Sequence, residues 1–137
     1  MTLLWWQKLA LAIVLVSASG TFIELLLLEH FEETYQLIPL VLLGAALIAT
    51  VGMLIKPLKP MVTAFRVVMG LCLVSALVGI FLHYRANVEF VLERHPNYAG
   101  FTLFKEAMMG ALPALAPGAM VQVSLIGLLA TLTRRSA

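Results

Sequence analysis

Four long apolar blocks, separated by short polar connections, set the pattern of this chain. They run from about Leu9 to Leu28, Ile38 to Ile55, Met61 to Leu82 and Pro113 to Thr133. Each is close to the ~20 residues that cross ~30 Å of hydrocarbon at 1.5 Å per residue. None alternates polar and apolar positions as a barrel strand does, and backbone groups in lipid must be satisfied within their own segment, so the spans are helices. The pattern predicts an all-α membrane protein, with four transmembrane helices bundled into a single domain over residues 1–137.

The connections differ in kind. Lys56-Pro57-Leu58-Lys59-Pro60 is a tight turn whose prolines stop helix on either side, so spans two and three form a hairpin. Glu29 to Leu37 is short and acidic, and the first helix is expected to continue into it, past the outer surface. The connection 83–112 is long enough for structure of its own. Within it, Tyr84 to Arg94 has no Gly or Pro and should prolong the third helix until His95-Pro96-Asn97 ends it. Phe101 to Met109 reads as a short amphipathic helix at the interface, and Pro113 and Pro117 fall in the first turns of helix four, where proline costs least. Lys8, the apolar run to Val16 and Val16-Ser17-Ala18 have the order of a signal peptide, but the run resumes through Leu25 to Leu28, so an uncleaved anchor is expected.

Composition sharpens this picture. With 62% apolar residues, 12% charged and a mean hydropathy of +1.02, a water-soluble domain is excluded. The single cysteine, Cys72, lies inside a span, so there is no disulfide framework and no zinc-type Cys spacing. Basic residues do not cluster with aromatics, which removes nucleic acid as a partner. With the N-terminus cytoplasmic, Lys8, Lys56, Lys59, Arg66, Arg134 and Arg135 are inside and Arg85, Arg94 and Lys105 outside, as the positive-inside rule requires of a multi-pass inner-membrane protein with both termini in the cytoplasm. Every carboxylate and all three histidines then fall on the outer side.

Candidate chemistry therefore belongs to the outer half. Glu24 lies about 6 Å below the outer boundary if Leu28 marks it, and an ionisable group at that depth needs a proton or a partner. At 100° per residue, Ser17, Gly20 and Thr21 share its side of the helix, a small and polar stripe of the kind that packs on other helices, so Glu24 is expected to face the bundle. Cys72, Ala76 and Gly79 make a similar stripe continued by His83, Asn87 and Arg94, and Gln122 is the one amide within the fourth span. Glu24, His83, Asn87 and Gln122 are expected to converge in a polar pocket beneath the outer face, serving either as a proton relay or ligand set or as a hydrogen-bonded network that fixes helix register.

A second group lies outside the spans. Glu29 with Glu33, and Glu89 with Glu93, stand at i and i+4, and a divalent metal would relieve their repulsion with His30 or His95 completing the ligands. The spacing matches neither HExxH nor the di-iron Glu-x-x-His, and pairing of these acids with Arg85, Arg94 and Lys105 is the competing expectation. Haem is disfavoured, because two inward histidines at matching depth are needed and only His83 qualifies. Trp5, Trp6, Tyr35, Tyr84 and Tyr98 sit at span ends as belt residues.

Two functions stay open, and no motif decides whether the chain is an enzyme. The first is an accessory or assembly component of a membrane complex, working in the lipid bilayer through a membrane-protein partner or as a homo-oligomer. It is favoured by small size and by small-residue stripes more numerous than four helices need, Gly44, Ala45 and Ala49 among them. The alternative is an outer-face Glu/His site for metal binding or proton transfer, with a link to oxidoreduction. A small exporter built on one buried glutamate is set aside, because Glu24 is too shallow, the outer connection too long and the charge asymmetry too strong for insertion in both orientations.

Overall fold

A computed structural model describes residues 2–132, and these are helical without strands. In chain order the elements are α1 (Trp5–Leu27), a short 3-10 turn (Thr34–Gln36), α2 (Leu37–Ile55), α3 (Lys59–Arg94), α4 (Gly100–Met108) and α5 (Gly118–Ala130). Three stretches, Trp5–Leu27, Thr34–Ile55 and Lys59–Arg94, are long and apolar enough to cross a membrane. The chain folds as two compact units, one of Met1–Ser75 with Ala119–Ala137 and one of Ala76–Gly118.

Two expectations need correction. The fourth apolar block is not one long helix: α5 has 13 residues, about 20 Å of rise and short of the ~30 Å of hydrocarbon. Pro113 and Pro117 cause this, because neither has an N–H to give and each disfavours helix in the residue before it. Residues 113–117 instead form successive turns, with Ala116 N–H donating to Pro113 O at 3.0 Å and Gly118 N–H to Leu115 O at 2.8 Å. Thr133 and the residues after it lie outside the described part. Nor is the first helix prolonged. It stops at Leu27, and Glu29 takes a left-handed φ of 52°. Glu29 N–H donates to Leu26 O (3.1 Å) and His30 N–H to Leu25 O (2.9 Å), the paired bonds of a Schellman cap with glutamate where glycine is usual. Glu29 and Glu33 therefore do not share a helix face.

In the first unit each helix contributes one stripe to the core. The stripes are Gln7, Leu11, Val14 and Ala18 from α1, Leu40, Leu43, Ala46, Thr50 and Met53 from α2, Phe65, Met69 and Cys72 from α3, and Met120, Val123, Ser124 and Gly127 from α5. The hairpin is as expected, α2 ending at Ile55 and α3 starting at Lys59. Gly52 faces the end of the Met61 side chain there, its Cε 2.7 Å from where a Cβ would stand. Buried hydroxyls bond within their own helices, Thr50 Oγ1 to Ala46 O at 2.6 Å and Ser124 Oγ to Met120 O at 2.7 Å, which lets polar atoms sit in an apolar core without loss.

The second unit packs the end of α3 against α4 and the segment leading to α5. As the sequence predicts, α3 continues as one helix to Arg94 and stops before His95-Pro96-Asn97, and α4 follows from Gly100. Its core is Ala76, Val91, Ala107, Ala114 and the side chain of Asn87.

Candidate functional site

Asn87 is the polar centre of the second unit. It is 2% exposed, and both ends of its amide are engaged: Nδ2 donates to Ala107 O at 2.9 Å and to Leu112 O at 2.6 Å, while Oδ1 accepts from Leu112 N–H at 3.1 Å. The last carbonyls of α4 and the backbone of Leu112 beyond it need partners, and this one amide supplies them at Ala107 and Leu112. Gly110 allows the approach, because a Cβ there would run into the Asn87 side chain. One helical turn earlier, His83 places Nδ1 3.2 Å from Pro113 O, a contact that only a protonated Nδ1 satisfies. His83 and Asn87 thus face inward, as the Cys72–Ala76–Gly79 stripe implies, and both reach backbone atoms of the same unit.

Glu24 and Gln122 behave otherwise. Both are exposed. The packed stripe of α1 is Gln7–Leu11–Val14–Ala18, and at 100° per residue Ser17, Gly20 and Glu24 lie roughly 90–150° away from its centre. The small-residue stripe exists, but it faces outward: a Cβ on Gly20 would meet nothing within 4 Å. Beside it an open groove of about 270 Å³ is lined by Ala12, Ile13, Val16 and Ser17. The Glu24 carboxylate has no hydrogen bond or ion pair among the described residues. Gln122 stands on the side of α5 opposite Met120, Val123 and Gly127.

The acidic pairs do not assemble into a ligand set. Among the described residues, no three of His, Cys, Asp and Glu come together in a way that would hold a metal ion. Glu29 and His30 belong to the turn that caps α1, and Glu33 precedes the 3-10 turn. Glu89 and Glu93 do share a face of α3, but Glu89 is engaged by Arg85 at 3.0 Å. His95 stacks on Tyr98 with ring centroids 4.5 Å apart, and Arg94 lies over the Phe90 ring at 4.5 Å.

Two polar positions in the first unit are not singled out by sequence reasoning. Gln7, 2% exposed, accepts from Leu4 N–H at 2.9 Å through Oε1 and donates through Nε2 to Ala130 O at 2.9 Å and Leu132 O at 3.3 Å. Arg66 donates to Thr131 Oγ1 at 2.9 Å and to Thr131 O at 2.8 Å. Together they satisfy the carbonyls that α5 leaves open at its C-terminus, where a cation is also favoured by the helix dipole. A charged residue several positions inside an apolar block was the available signal for Arg66; Gln7 offered none, because an amide beside Lys8 reads as an interfacial residue.

No protein-family model, curated protein or solved structure matches this chain.

Proposed function

We propose that this chain is a small integral membrane protein that acts as an accessory component of a larger membrane complex, docking to a partner through the outward face of α1. The observation that carries this is Glu24, exposed and without a partner of its own in the last turn of a 23-residue apolar helix. A carboxylate facing lipid there costs a few kcal/mol on insertion scales, a cost removed by a partner helix with a Lys or Arg at the same depth. Ser17 and Gly20 below it let that helix approach closely, as small residues do at membrane helix interfaces. A second copy of the chain fits less well, because a parallel pair through this face would set Glu24 against Glu24.

We take the chain to cross the membrane four times, with residues 113–132 as the last crossing and both termini on the cytoplasmic side. Three crossings would leave Arg134 and Arg135 outside, against the positive-inside rule, whereas four keep them inside with Lys8, Lys56 and Lys59. The inner membrane of a bacterial-type cell is the setting that this charge distribution suits. The metal or proton reading is not carried forward, since two of the four residues it needs, Glu24 and Gln122, point away from the packed faces of their helices.

Migration after gentle solubilisation tests the proposal. The chain is expected to run with a larger membrane assembly, and Glu24→Lys is expected to release it. A wild-type chain that runs alone from native membranes would overturn the reading.

A further inference from the structure

A separate surface, independent of what docks on α1, belongs to α4. Its nine residues present three faces. Ala107, fully buried, and Leu103 pack inward. About 100° round the helix, Phe104, Met108 and Phe101 form an apolar ridge, with Phe101 78% and Phe104 48% exposed. Thr102 and Glu106, both exposed, lie on the far side.

The position of this ridge relative to the apolar end of α3 decides what covers it. Leu77 and Phe81 are exposed on α3 at 55% and 60%, and Tyr84 continues the same face one turn on. The Tyr84 ring meets Phe104 with centroids 5.9 Å apart, and Phe104 meets Phe101 at 6.3 Å. Tyr84 is two residues beyond Leu82, the end of the apolar block, which puts the aromatic cluster about 3 Å past the hydrocarbon edge. Aromatic rings are enriched at that level of a bilayer. The same unit carries Arg85, Arg94 and Lys105 against Glu89, Glu93 and Glu106, so its formal charges cancel.

We infer that α4 is an anchor in the outer lipid leaflet, its Phe104–Met108–Phe101 ridge inserted at the headgroup boundary of zwitterionic lipid by apolar contact alone, at a depth fixed by the Asn87 clamp. Because the unit is neutral, insertion gains nothing from anionic lipid and loses nothing to salt. This separates it from the basic amphipathic helices that read surface charge.

Nitroxide labels on single cysteines, in a Cys72→Ser background in nanodiscs, test this through collision with oxygen and with a water-soluble nickel complex. Labels at positions 101 and 104 are expected to favour oxygen by about fivefold over labels at 102 and 106, equally in zwitterionic and anionic lipid and at low and high salt. Phe101→Trp in a Trp5→Phe, Trp6→Phe background keeps the aromatic bulk, and its emission is expected to be quenched by lipids brominated near the headgroup. Nickel access at 101 and 104 equal to that at 102, an unquenched Trp at 101, or insertion only into anionic lipid would each overturn the inference.

Discussion

Asn87→Ala removes a single amide that holds three backbone groups, and its cost can be worked from the geometry. Bonds at 2.9, 2.6 and 3.1 Å are lost together. The buried Ala107 carbonyl keeps only the 3.3 Å bond from Gly110 N–H, and the part-buried Leu112 N–H and C=O are left for water to reach. At about 1 kcal/mol per hydrogen bond lost, the second unit should be destabilised by about 3 kcal/mol. Opening of α4 and residues 109–112 is then about 100-fold more frequent, at 1.4 kcal/mol per tenfold. Amide hydrogen exchange in nanodiscs reads this directly, with α1 amides as the internal reference. Asn87→Asp keeps the acceptor for Leu112 N–H but sets a carboxylate against two carbonyl oxygens, and should be at least as damaging. Wild-type exchange between Leu103 and Leu112 in either variant would refute the clamp.

Three further outcomes follow from the packing of the first unit and its ends. Gln7→Leu leaves Ala130 O and Leu4 N–H without partners and should cost about 2 kcal/mol in reversible unfolding in mixed micelles. Gly127→Ala puts a Cβ 2.5 Å from Met69 Sδ and 3.2 Å from Phe65 Cζ. Met69 can yield but the ring has less room, so a loss of 1–2 kcal/mol, roughly, is expected in the same assay. Glu29→Gly relieves the left-handed backbone at φ 52° and should stabilise the end of α1 by about 1 kcal/mol, seen as slower exchange at His30 N–H.

Block length and proline placement made most of the fold legible. The Lys56–Pro60 hairpin, the run of α3 through Arg94 and the separate α4 all follow from where helix is allowed and where proline or a polar turn forbids it. Two features were hidden. A glutamate in the position where glycine caps a helix gives no local warning, so the stop at Leu27 looked like a continuation. Hydropathy reads 113–133 as one continuous helix because proline is not strongly polar, although Pro113 and Pro117 confine the helix to Gly118–Ala130.

The candidate pocket was legible only in part, and for a definable reason. A stripe of small residues shows that something packs closely there without saying whether it is the same chain or another. On α3 the stripe led inward to His83 and Asn87. On α1 two stripes competed, and Leu11–Val14–Ala18 took the core because it pairs larger apolar groups with the buried Gln7, leaving Ser17, Gly20 and Glu24 outside.

Photo-crosslinking from position 20 in native membranes tests the role of that outward face most directly, with Ile48, 77% exposed on α2, as the control position. The account predicts one discrete protein adduct from position 20, none from position 48, and loss of the adduct in Glu24→Lys. Lipid adducts alone from both positions would contradict it.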